Sequence, residues 1–148
     1  MPNSNNNDDQ FALHRFLAAQ ETVYRAALSE LQSGHKRSHW MWFVFPQIDG
    51  LGSSPTAKRY AIRSLAEAKA YLDHPVLGGR LLECTEAVLN NRGLSAAEMF
   101  GYPDTLKFRS SLTLFERVAP PNSLFSRALD SFFDGERDAR TLELIESG

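Results

Sequence analysis

Cysteine is nearly absent from this chain: Cys84 stands alone in 148 residues. No internal disulfide and no multi-cysteine zinc site is therefore possible, and a reducing compartment fits. Long apolar runs are missing too. Nothing approaches the roughly 18 to 20 residues that span a bilayer, and no signal-like apolar stretch follows Met-Pro-Asn-Ser, so a cytoplasmic protein without a membrane partner is expected. An excess of one charge is also lacking, with 16 Lys plus Arg against 18 Asp plus Glu. A chain that coats duplex DNA carries a basic stripe and surplus positive charge, so duplex DNA is not an expected partner. Apolar and polar residues nowhere alternate with a period of two, which argues against strands.

What is present suits one soluble domain. Hydrophobic residues make up 43% of the chain, and ten Phe, four Tyr and two Trp supply a core that needs no metal or disulfide for support. Residues 1–8 are polar and are expected to be a disordered tail, with one domain from 9 to 148. Charge is unevenly distributed: residues 11–60 hold six basic and three acidic residues, whereas residues 111–148 hold four and seven. A local anion site is compatible with that bias.

Helix signals run along the whole domain. Leu13, Phe16, Leu17, Tyr24, Ala27, Leu28 and Leu31 recur at spacings of three, four and seven, predicting one amphipathic helix from Asp9 that Gly34 stops, with Gln20 as the polar interruption of its face. Ser38 as N-cap and Pro46 as stop predict a short apolar helix between them, and Ser54-Pro55 opens another to about Ile62. Ser64-Leu-Ala-Glu67 reads as a capping box for a helix to about Asp73, and Pro75 opens a longer one closed by Gly93. A second capping box at Ser95 to Glu98, a helix from Pro103-Asp104 to Val118, and patterns at 123–133 and 138–145 complete an all-α domain of six to eight helices.

The densest chemistry lies in Lys36-Arg37-Ser38-His39-Trp40-Met41-Trp42-Phe43-Val44-Phe45-Pro46-Gln47. Lys36 and Arg37 suit a phosphate, while Trp40 or Trp42 can stack a planar ring. The bland alternative is a core helix behind a solvated basic turn, because four aromatics cannot all face one ligand. Asp49 to Pro55 is a glycine-bearing loop before a helix, yet it lacks the Gly-Lys-Ser/Thr of a P-loop. On the helix from Pro103, Asp104, Lys107 and Ser111 form a polar stripe, either a cleft wall or a helix-dipole complement with an intrahelical pair. His39 is a candidate acid–base group. His35 and His39 are a poor metal pair with no third ligand, Cys84 reads as packing, and no motif calls for a cofactor.

The run from Lys36 to Gln47, followed by Gly50-Leu-Gly52, Ala68-x-x-Tyr71-Leu-x-His74-Pro-Val-Leu-Gly78, Phe100-Gly101-x-Pro-Asp104-x-x-Lys107 and Ser110-Ser-x-Thr-Leu-Phe115, resembles the bacterial family of unknown function DUF1810 from Phe11 to Leu144. The resemblance implies a compact, mainly helical domain and no established activity. Members are sometimes named calpastatin, but nothing in this globular sequence supports a calpain inhibitor. The family's motifs include polar residues that a core alone does not require, among them Gln47, His74, Ser110 and Ser111, and a cleft explains them. The expectation is a site for a phosphate-bearing, nucleotide-derived small molecule resembling ADP-ribose or NAD. Lys36, Arg37 and Lys107 would take the anion and Trp40 or Trp42 the ring, with Gln47, Ser110 and Ser111 as further contacts and His39 with Asp104 aiding hydrolysis. The alternative is a non-catalytic module whose aromatic groove holds a protein partner. A concave polar cleft favours the former and a broad apolar patch the latter.

Overall fold

In the computed structural model, residues 10–147 are described and form one helical domain. Among them are ten helices rather than six to eight, seven of them at least eight residues long. They are α1 (His14–Glu21), α2 (Tyr24–Gln32), α3 (Met41–Val44), α4 (Pro55–Arg59), α5 (Leu65–Asp73), α6 (Pro75–Leu89), α7 (Ala96–Phe100), α8 (Asp104–Glu116), α9 (Leu124–Phe133) and α10 (Ala139–Ser147). The tail expected over residues 1–8 lies outside the described residues.

The higher count has local causes. The first expected helix is divided at Thr22-Val23, where two consecutive β-branched residues disfavour helix and Val23 takes φ −118°. Gln20 uses the break. Its amide Nε2 donates to the Phe43 carbonyl at 2.7 Å and to the Tyr71 hydroxyl at 3.0 Å, and its Oε1 accepts from Arg80. The polar interruption is thus a buried knot tying α1 to α3, α5 and α6. Ser38 does not cap α3 as expected, because its hydroxyl is donated to Glu30 and Trp40 occupies the N-cap position without a side-chain cap. Ser54, Ser64, Ser95 and Ser123 each accept from a first-turn N–H, as does His74 Nδ1; of the two expected capping boxes only Ser95–Glu98 closes, because the Glu67 carboxylate accepts from Arg63 N–H instead of reaching Ser64.

Two helices organise the packing. The apolar spine of α6 meets α2, α3, α5 and α9, while α8 meets α3, α5, α7, α9 and α10. Between them lies an aromatic core. Phe108 on α8 stacks on Phe100 at 4.6 Å and meets Phe45 edge-on at 4.9 Å, while Phe16 meets Tyr71 edge-on at 5.1 Å. Cys84 is buried in this packing, and burial pushes its thiol up to about 12, far from thiolate chemistry. The C-terminal α10 packs half-buried Leu144 and Ile145 against the core and is also attached by polar contacts. Arg137 pairs with Glu116, Asp138 N–H donates to Thr113 Oγ1, and Thr141 is the one residue of α10 that is fully buried. Its Leu144 covers Gly50.

The close approach of α5 and α6 depends on Gly78, where an added Cβ would stand 1.9 Å from the Leu72 carbonyl oxygen, whereas one at Gly79 would meet nothing within 4 Å. Helix propensity favours alanine at both positions by about 0.5–1 kcal/mol. Gly79→Ala is therefore expected to stabilise by that amount. Gly78→Ala should destabilise by about 2 kcal/mol or more, because the backbone must separate. Urea unfolding of the two variants checks this, and equal effects would contradict the packing described.

Candidate functional site

The site is built from Glu30 outward. Gly34, at φ +77°, ends α2 and turns the chain back, and Lys36 N–H then donates to the Met99 carbonyl at 2.8 Å. Over the next five residues the chain is gathered around one carboxylate. Glu30 Oε1 accepts from Arg37 N at 2.8 Å, Ser38 N at 3.0 Å and the Trp40 indole Nε1 at 2.9 Å, and Oε2 accepts from Ser38 Oγ at 2.6 Å. Burial alone would raise the Glu30 pKa, but these four donors outweigh it and hold the group at about 2.

With the turn fixed, Lys36 points inward. Its Nζ lies 2.8 Å from Asp104 Oδ2, donates to the Ser38 carbonyl at 2.6 Å and sits 4.9 Å from the Trp40 ring centroid. Asp104 opens α8, where a carboxylate complements the helix dipole. Its other oxygen is 3.6 Å from Lys107 Nζ, which lies 4.1 Å above the Trp42 ring centroid. One carboxylate thus bridges two ammonium groups, each against an indole face. The inner lysine side chain is 6% exposed and the outer one 24%. The cluster carries one surplus positive charge, and it faces outward on Lys107.

Trp42 also walls a small cleft with Gln47, Gly50, Leu51, Gly52 and Tyr60, enclosing about 20 Å³ of free space, room for about one water. The Ile48–Ile62 bridge sets this wall: Ile62 N donates to the Gln47 carbonyl and Asp49 N to the Ile62 carbonyl, both at 2.8 Å. Gly52 is needed because a Cβ there would come within 2.6 Å of Ala57 Cβ. The buried amide Nε2 of Gln47 has no hydrogen-bond partner among the described residues, nor does the Ser111 hydroxyl, one turn beyond Lys107 on α8. A buried unpaired donor is costly; that of Gln47 belongs to a residue of this cleft wall, whereas Ser111 is sealed within the core.

The residues singled out in the sequence therefore separate. Lys36, Asp104, Lys107, Trp42 and Gln47 converge. Trp40 lies in the core, fully buried, and its indole N–H is spent on Glu30. Ser110 donates back to the Leu106 carbonyl at 3.1 Å, and Ser111 is buried on the same helix. Arg37 and His39 are exposed on the turn, and among the described residues neither side chain contacts Asp104. Asp104 has both oxygens on lysines and acts as their counter-ion. Among the described residues no three His, Cys, Asp or Glu side chains cluster as a metal site. Two participants escaped sequence reasoning, Glu30 and Tyr60. Glu30 had a signal: a carboxylate in the last turn of α2 opposes the helix dipole and needs compensating donors.

A family model described as "Protein of unknown function (DUF1810)" matches residues 10–145. The chain is similar to the conserved hypothetical protein Rv1873 from Mycobacterium tuberculosis, known from a crystal structure at 1.38 Å. Identity is 53% over 93% of this chain and 99% of that one, with a TM-score of 0.91. No curated protein matches the chain.

Because the Glu30 carboxyl is held at about 2 against its ordinary 4.5, its stabilisation is complete above pH 4.5 and is lost as the pH falls toward 2. Glu30→Gln is expected to cost on the order of 2 kcal/mol at neutral pH, the scale of hydrogen bonds to a charged group. The difference from the parent protein should shrink steadily below pH 4.5. Urea midpoints measured from pH 7 to 2.5 check this, and a pH-independent difference would remove Glu30 from the role assigned to it.

Proposed function

The chain belongs to the DUF1810 family, and for this member we propose binding of a phosphate-bearing, nucleotide-derived small molecule in the cleft between Trp42 and the start of α8. One observation carries the reading: the partly exposed Lys107 ammonium lies 4.1 Å above the Trp42 ring, with a loose 3.6 Å pairing to Asp104. A cation with an incomplete ion pair beside an accessible indole offers a phosphate and a planar ring adjoining places. Lys36, paired at 2.8 Å and nearly buried, holds Asp104 in position rather than meeting the ligand itself. The unpaired Gln47 amide supplies a donor for a carbonyl or hydroxyl of the ligand.

The free space beside Gln47 is about 20 Å³, far below a nucleobase, so the ring lies on the outer face of Trp42 and only a small polar group reaches inward. The proposal is one of binding: with Asp104 committed to two lysines and His39 out on the turn, acid–base hydrolysis has no contact behind it. The charged setting of Lys36, Asp104 and Lys107 favours a small anionic molecule over the aromatic-groove module.

A panel of ADP-ribose, NAD, nucleotides and sugar phosphates tests the proposal by thermal shift. A ligand at 100 times its Kd adds about 2.7 kcal/mol, which raises Tm by several degrees in a domain of this size. The active ligand should also quench tryptophan fluorescence. Lys107→Met should abolish the shift, and Trp42→Phe, which leaves only the buried Trp40, should abolish the quenching. No shift across the panel, or a shift indifferent to Lys107→Met, would overturn the assignment.

A further inference from the structure

A second cavity, which shares no lining residue with the Trp42 cleft, is independent of that reading. It measures about 530 Å³ and is lined by Gln10, Arg59, Arg63 and Ser64 above a floor of Arg15 and Glu67. The floor is electrically closed. Arg15 Nη2 pairs with Glu67 Oε2 at 2.8 Å, and the two side chains are 14% and 4% exposed. Arg15 spends its other donors on backbone: Nε on the Arg59 carbonyl, Nη1 on those of Phe11 and Ala12, and Nη2 also on that of Ala61. Glu67 Oε1 accepts from Arg63 N–H at 3.0 Å. The buried pair therefore clamps the backbone at residues 59, 61 and 63, the stretch that carries both rim arginines, and so presents Arg59 and Arg63 to one concavity.

The rim is not closed. Both arginines are exposed, and among the described residues no carboxylate pairs with either. The side-chain contact of Arg59 is with the face of Tyr60, 5.5 Å from the ring centroid. Two like charges are thus held toward one cavity with no counter-ion, a repulsive arrangement that an anion relieves. A carboxylate satisfies one guanidinium fork, but two forks and the Gln10 amide require an anion with more than two oxygens and more than one charge. The volume lies in the range of small-molecule sites and leaves room for the body that carries such a group. We infer that Arg59 and Arg63 form a second binding site, for the phosphate or pyrophosphate group of a small molecule, on a platform preset by the Arg15–Glu67 pair.

Titration calorimetry of the whole chain with inorganic pyrophosphate at low ionic strength tests the inference, alongside sedimentation with vesicles of phosphatidylcholine containing phosphatidic acid. The expected result is saturable one-to-one binding of pyrophosphate, weakened at least tenfold in the Arg59→Gln/Arg63→Gln double variant and unchanged in Lys107→Met. Both substituted side chains are exposed and the clamp uses their backbone, so Tm should be preserved; the single Arg63→Gln variant provides a milder version of the same test. Absence of saturable binding, or binding indifferent to the arginine variants, would overturn the site. So would binding lost in Lys107→Met, which would assign the anion to the Trp42 cleft, or capture by vesicles without pyrophosphate binding, which would make the patch a lipid-headgroup surface.

Discussion

A single carboxylate inside a turn does most of the positioning in this protein. Glu30 draws two backbone amides, a hydroxyl and an indole N–H onto its two oxygens, and each donor fixes a different part of the segment from Arg37 to Trp40. With Trp40 anchored in the core, Trp42 two residues later is left half-buried, and Lys36 is placed where it meets Asp104. The sequence of dependence runs from Glu30 to the turn, to Lys36, to Asp104 and to Lys107 above Trp42. An interaction within one turn thus decides which of two neighbouring tryptophans is sealed in the core.

The same economy appears twice. At each site a paired acid–base arrangement is used up internally and a cation is left at its edge: Lys107 beyond Lys36 and Asp104, Arg59 and Arg63 beyond Arg15 and Glu67. Buried ion pairs contribute little net stability, because desolvation offsets the attraction, but they specify geometry. Here their geometry organises positive charge drawn from separate parts of the chain.

Much of the architecture was legible in the residues. Serine caps at positions 54, 64 and 95 act locally, so their effect is readable from neighbours a few positions away. The role of Gln20 was less legible, because it turns on reaching the Phe43 carbonyl across 23 positions. Ser38 misled for the same reason. It has the right chemistry for a cap, but Glu30 competes for its hydroxyl, and that competition exists only once α2 has folded back. At the site, the Asp104–Lys107 spacing was visible as a helical stripe, whereas burial of Trp40 and partial exposure of Trp42 depend on an indole bond no spacing rule encodes.

The attachment of α10 has a bearing on the cleft. This helix is moored by ion pairs and a cap, fully buries only Thr141, and rests Leu144 on Gly50, the glycine at the head of the loop that walls Trp42. Segments with few buried apolar contacts open more often than the core they cover. Fraying of the C-terminal helix would therefore uncover Gly50 and loosen the Gly50–Gly52 loop, which couples the wall beside Trp42 to the salt-sensitive Arg137–Glu116 mooring.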